Sequence, residues 1–262
     1  MSTARRIAHD SLSLREPAYL KHYRRGAFKE WRGVALTTSS LPGPGFNFAS
    51  ALRPDVPPLD ELLPVAREFF AHCEQGWGVL VEGDAGHPME AELRARGWQV
   101  AEDEPAFVMP EITAGLNPAA RHDLVIRQLR TEEDRNTFCR VCAAAFGTTA
   151  EFAEMILPSL SIVTDPDLYW VVGEVDGEPV TAGGYAKHGT TAMVCCLATL
   201  ESHRGRGLGA ALTRHVLAHA AERGCTSASL RSGPKSIPLY ERLGFRYVCQ
   251  HRTYAAPNEP EA

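Results

Sequence analysis

The chain lacks any apolar run of membrane-spanning length. Stretches such as Met193–Leu197 fall far short of the ~20 residues a membrane helix needs, so no membrane partner is expected. No apolar core follows Arg5 and Arg6 near the N-terminus, which argues against a secretory signal. A basic surplus is also missing: 27 Lys and Arg against 32 Asp and Glu leave a formal charge of −5 and a pI of about 6.1. Non-specific nucleic-acid binders show the opposite balance, so nucleic acid is not expected and a neutral or cationic partner is mildly favoured. Cysteine is sparse and unpaired in pattern. Seven scattered cysteines fit a reducing, cytoplasmic compartment better than secretion. Cys139 and Cys142 form a CxxC with no second pair, so no zinc site is expected there. Cys195 and Cys196 read as strand residues on opposite faces. What is present is ordinary and globular. The 262 residues, 44% hydrophobic and 23% charged, suffice for one large domain or two of about 130 residues.

The stretch Glu111–His122 is rich in Gly, Pro and Ala and has no apolar periodicity. It reads as a linker between two mixed α/β segments, 1–115 and 116–262. In the second, Leu124–Leu129 is a strand, and Thr131 with the acids after it caps a helix running to Phe146 and stopping at Gly147. A short helix follows near Glu151–Ile156. Strands are predicted at Leu168–Val175, Pro179–Lys187 and Thr191–Thr199, the first two joined by the Asp176-Gly177 hairpin signal. A helix over Leu208–Arg223, a strand at Thr226–Leu230, a helix at Pro238–Leu243 and a strand at Phe245–Tyr254 complete the pattern. The fold class is therefore α/β of the α+β kind, with a mixed, mostly antiparallel sheet flanked by helices.

The first segment repeats the end of this pattern. Helices at Leu59–His72 and Pro88–Arg96 alternate with strands at Gly78–Val81 and after Gly97-Trp98. Aligning Gly97 with Gly244, 147 residues on, brings Ala95-Arg96-Gly97-Trp98 onto Arg242-Leu243-Gly244-Phe245. An element order kept in step at one offset implies duplication and two tandem copies.

The sharpest chemical feature is Arg204-Gly205-Arg206-Gly207-Leu208-Gly209-Ala210, between a strand and a helix. Glycines let backbone approach a ligand closely, and free N–H groups at a helix start attract an anion. The run reads as a phosphate or pyrophosphate cradle, with two arginines adding charge. It is not a P-loop, since no Gly-Lys-Ser/Thr follows. Nor is it a Rossmann fingerprint, since it comes late, after antiparallel strands.

Arg204-x-x-Gly207-x-Gly209-Ala210 resembles the Arg/Gln-x-x-Gly-x-Gly/Ala signature of the GCN5-related N-acetyltransferase (GNAT) family. Ser232-Gly-Pro-Lys-Ser-Ile-Pro-Leu-Tyr240-Glu-Arg-Leu-Gly-Phe245 and the Val175–Val180 hairpin are similar to that family's later segments. The resemblance covers about Leu124–Tyr254. It implies acetyl-coenzyme A as donor, its pyrophosphate on the amides of Arg204, Gly205, Arg206, Gly207, Leu208, Gly209 and Ala210. It also implies a strand that splays from its neighbour, so that Leu197, Ala198 and Thr199 hold the pantetheine and thioester. Tyr240 falls on the family's frequent general acid, which protonates the departing thiolate. Many relatives carry an Asn near Ser232 or Gly233. None stands here, so a backbone group or Ser236 must replace it. Glu174, Glu201 and His188 are candidates for a general base, but each reads better as a surface side chain, so no base is assigned.

His215 and His219 stand four apart on a helix, but without the Glu of the metalloprotease pattern. They read as a plain helix face, and no metal is expected. The alignment brings Arg204–Gly209 onto Pro57-Pro58-Leu59-Asp60-Glu61-Leu62, and Tyr240 onto Leu93. The first copy is thus expected to be degenerate, building a wall of the acceptor site or stiffening the sheet. An exposed helix there would serve dimerisation, leaving monomer and homodimer both open. The expected activity is acetylation of a primary amine on a small molecule or peptide. The competing reading is an acyl-coenzyme A sensor without turnover.

Overall fold

A computed structural model describes residues 1–12, 17–39, 41–73, 76–83, 86–112 and 123–257. Of the expected linker, residues 113–122 lie outside the described residues. The first half supplies α1 (Thr3–Leu12), β1 (Ala27–Trp31), β2 (Val34–Thr38), β3 (Asn47–Ser50), α2 (Leu59–Phe70), β4 (Gly78–Glu82), α3 (Pro88–Ala95) and β5 (Gln99–Met109). The second supplies β6 (Val125–Gln128), α4 (Glu132–Phe146), α5 (Ala150–Ile156), α6 (Leu160–Val163), β7 (Leu168–Val175), β8 (Glu178–His188) and β9 (Thr191–Thr199). It ends with α7 (Leu208–Glu222), β10 (Ser227–Arg231), α8 (Ile237–Arg242) and β11 (Arg246–Ala255).

Local chemistry sets the boundaries in the second half. Thr131 and Asp134 exchange side-chain and backbone bonds in a capping box that starts α4. Gly147, at φ +68°, ends that helix in the left-handed conformation glycine tolerates. Asp176 and Gly177 both take positive φ (52° and 78°), which closes the β7–β8 hairpin in two residues.

Among the described residues the strands form one eleven-stranded sheet in the order β1-β2-β3-β4-β11-β5-β10-β9-β8-β7-β6. Every pairing is antiparallel except β3 with β4 and β9 with β10. These two parallel pairs are counterparts at the offset read from the sequence. So are α2 and α7, α3 and α8, and β5 and β11, which begin at Gln99 and Arg246. The repeat reaches further back than the sequence reading took it, since β1, β2 and β3 match β7, β8 and β9. The last strands are exchanged. β11 lies between β4 and β5, and β5 lies between β11 and β10. Each half's final strand therefore completes the other half's sheet, with Ala106, Phe107 and Val108 of β5 fully buried.

Helices α7 and α8 cover one face of the second half over Tyr169, Val171, Val194, Leu230 and Phe245. Helices α4, α5 and α6 cover the other over Trp170, Val172, Ala182 and Ala198. Helix α1 packs on the central strands, against Ala106, Val108 and Cys249. Among the described residues no helix is long and apolar enough to cross a membrane.

Candidate active site

Strands β9 and β10 make the opening. They pair in parallel only at Thr191–Ser227, Ala192–Ala228 and Met193–Ser229. Beyond Met193, β9 runs on to Thr199 without a β10 partner, so its edge facing β10 leaves backbone polar groups available to a ligand. A bulge lies in this unpaired stretch. Cys196 has φ +55°, and the β8–β9 register slips between Ala182 and Gly184. A bulge breaks side-chain alternation, which corrects the sequence reading of Cys195 and Cys196. Both pack against the α4 side of the sheet instead of pointing to opposite faces. Thr181 fixes the far side of the bulge, its Oγ1 donating to the Ala198 carbonyl at 2.6 Å.

The wedge opens into a cavity of about 950 Å³. Leu197, Ala198 and Thr199 line one wall, and the loop Arg204–Ala210 with the start of α7 forms its end. Gly205 and Gly207 take φ +76° and +79°, a conformation L side chains rarely adopt. Gly207 is the N-cap of α7, and no acidic side chain stands in that helix's first turn. The free N–H groups of Leu208, Gly209 and Ala210 therefore carry the helix's positive end into the cavity. A Cβ at Gly209 would sit at ordinary contact distance, 3.5 Å from Thr199 Oγ1 and 3.7 Å from Leu239. It would fit the protein, but it would take up the space beside these amides.

Of the twelve residues singled out from sequence, Arg206 alone does not line the cavity. Arg204 does, in a different role from the one its charge implied. Its Nε donates to the Thr199 carbonyl at 3.1 Å and a terminal nitrogen donates to the Ala145 carbonyl at 2.7 Å. It staples the loop to the end of β9 and to the end of α4. Ser236 lines the wall at the start of α8, where its side chain makes no capping bond.

Tyr240 projects from α8 into the same space. Its ring stands edge-on to Phe245 at 5.9 Å, and the residue is 6% exposed. Burial pushes its pKa up to about 12, so the phenol keeps its proton at neutral pH. The hydroxyl makes no hydrogen bond among the described residues. A held proton, aimed at a cavity and lacking an acceptor, is what a general acid needs.

The sequence reading missed part of the wall. Arg214, Lys235 and Arg242 add cations around the cavity, and His203 and Phe146 complete it. Arg214 was readable in principle, because it stands one turn beyond Ala210 on the same face of α7. The three residues weighed as general base do not line the cavity. Glu174 accepts a hydrogen bond from Arg127 Nε at 2.7 Å. Glu201 is exposed and His188 ends β8. His215 and His219 face the sheet, each ring bonded to a tyrosine hydroxyl: Tyr169 at 3.0 Å and Tyr185 at 3.1 Å.

Comparison with known proteins agrees with this architecture. The profile of the acetyltransferase (GNAT) family matches residues 127–245. A glucosamine 6-phosphate N-acetyltransferase of Trypanosoma brucei brucei is 47% identical over 45 residues. The match takes in 17% of this chain and 31% of that protein, so it spans under a third of the curated relative's length. A GCN5-related N-acetyltransferase from Kribbella flavida superposes with a TM-score of 0.72 at 22% identity, over 99% of this chain and 97% of that one. A tandem GNAT protein from the clavulanic acid biosynthesis pathway gives 0.60 at 14% identity, over 92% and 86%. At these identities the two structures establish the fold.

Proposed function

Because residues 127–245 belong to the acetyltransferase (GNAT) family, we propose that the chain transfers an acetyl group from acetyl-coenzyme A to a primary amine of a small molecule or peptide. The reading rests on one observation: an unpaired strand edge, a glycine-rich helix start and a buried, partnerless phenol open onto a single cavity. The amides of the 204–210 loop would hold the pyrophosphate. The free edge of β9 at Leu197, Ala198 and Thr199 would orient the pantetheine arm and polarise the carbonyl oxygen through an N–H. Tyr240 would deliver its proton to the departing thiolate sulfur as the amine attacks directly within a ternary complex. Arg214, Lys235 and Arg242 would neutralise the remaining phosphates. The short match to a glucosamine 6-phosphate N-acetyltransferase supports an amine on a small polar molecule as acceptor. In this reading the chemistry belongs to 116–262, and 1–115 is a degenerate copy that lends structure. The test is release of free thiol from acetyl-coenzyme A across a panel of amines. Turnover with at least one amine supports the proposal. Tight coenzyme binding with no turnover on any of them would replace it with a sensor.

A further inference from the structure

Apart from the residues that line the cleft, a second cluster lies between α1 and β11. Cys249 and His251 are two apart on β11 and so share a face, and His9 reaches them from α1. All three residues are buried, at 0%, 1% and 1% exposure. Each offers a donor atom, and the three atoms lie within 4.8 Å of one another. Nδ1 of His9 and both ring nitrogens of His251 have no hydrogen-bond partner among the described residues. Three orphaned imidazole nitrogens in one buried cluster are a costly arrangement unless something binds them.

The surroundings fit a cation. Glu82 stands opposite His251 in the β4–β11 register. Its carboxylate accepts from His9 Nε2 at 2.8 Å and from Arg5 at 2.9 Å. That bond orients the His9 ring and leaves its Nδ1 unpartnered, the carboxylate–histidine arrangement that supports metal ligands.

We propose that His9, Cys249 and His251 form a three-ligand site for a zinc-class divalent cation, clamping α1 to the exchanged strand β11. Two imidazoles and a thiol select zinc and its neighbours over calcium or magnesium, which demand oxygen ligands. Closing the site brings the donors to roughly 3.3–3.6 Å apart, as tetrahedral zinc geometry requires, through rotation of three side chains. On binding, the Cys249 thiol releases its proton to solvent. The new thiolate then offsets one of the dication's two charges, beside a Glu82 carboxylate shared between His9 and Arg5. The proposal departs from the sequence expectation of no metal, and it does not depend on the catalytic reading.

The test uses the full chain, stripped with a chelator and reloaded with zinc or cobalt. We expect about one zinc per chain, a raised melting temperature and a thiolate-to-cobalt charge-transfer band that Cys249→Ser removes. Glu82→Gln keeps an acceptor for His9 but loses the charge, and should weaken zinc binding roughly 10–100-fold. Circular dichroism checks that each variant folds. If Cys249→Ser does not fold, the wild-type spectrum and Glu82→Gln decide the matter. No thiolate band in the wild type would overturn the proposal. So would a band that survives Cys249→Ser but vanishes in Cys196→Ser, which would put the cation beside Cys142 and Cys195.

Discussion

The two halves of the chain pose the same structural question and answer it differently. Each carries a parallel strand pair followed by a helix whose N-terminus lies beyond the pair. In the second half, β9 continues unpaired after Met193, and α7 starts on glycine with no acid in its first turn. In the first, β3 stays paired with β4 from Phe48 to Ser50, and the Ala51 N–H extends the contact to the Leu80 carbonyl at 2.8 Å. Helix α2 starts after Pro58, which has no N–H to offer, and its first turn holds Asp60 and Glu61. Those acids meet the helix's positive end themselves and pair with Arg96 and Arg32. Leu93, at the position of Tyr240, is fully buried in the core. One fold therefore yields an open helix end beside parted strands, or a sealed one. The outcome depends on whether the strands part, what caps the helix and what its first turn carries.

The largest effect should come from Tyr240, the residue with no chemical counterpart in the first half. Tyr240→Phe keeps the ring against Phe245 and removes only the held proton. Turnover should fall by roughly 10²-fold or more, while coenzyme A affinity by calorimetry stays within about twofold. Burial raises this phenol's pKa to about 12, so the protonated form persists to higher pH than in an unfolded chain, where a phenol titrates near ~10. The alkaline limb of kcat should accordingly show no loss assignable to this group below about pH 10. A Tyr240→Phe variant with wild-type turnover would remove the sharpest chemical difference between the halves.

Gly207→Val comes next, because it acts on binding alone. It puts a β-branched side chain at φ +79°, a strain of about 1–3 kcal/mol, on the residue that caps α7. Coenzyme A affinity should fall tenfold to about a hundredfold. A titration showing unchanged affinity would mean that the α7 N-terminus is not what separates this half from the other.

The sequence exposed this contrast only in part. The 204–210 run and Tyr240 stood out because local chemistry fixes them, with glycines at positive φ and a helix start. The capping box at Thr131 and the Asp176-Gly177 turn were legible for the same reason. Strands β1, β2 and β3 were not, being four or five residues long and without turn signals as sharp. Helix α1 was missed as well, although its buried face includes Ala8, His9 and Leu12. The strand exchange lies beyond any local pattern, since β5 and β11 begin 147 residues apart, at Gln99 and Arg246. The bulge at Cys196 was hidden because period-2 alternation, the rule used to read that strand, is what a bulge suspends. His9 with Cys249 and His251 was invisible for the reason that hid the exchange: only the folded sheet brings the two ends of the chain together.

The smallest expected effect is the most discriminating test of why the first half is closed. Asp60→Asn with Glu61→Gln strips the acids from the start of α2. If charge alone kept anions away, this double variant would gain a second coenzyme A site. We expect no gain, with binding remaining at about one per chain by calorimetry and thermal stability only slightly reduced, since both acids stand at the surface in weak ion pairs. The strands beneath them would still be zipped, and Pro58 would still lack its N–H. Coenzyme A needs an open strand edge for its pantetheine arm as well as a helix end for its pyrophosphate, and β3 and β4 leave no such edge. A second site appearing in the double variant would show the reverse, that the acids were the seal and the strand pairing incidental.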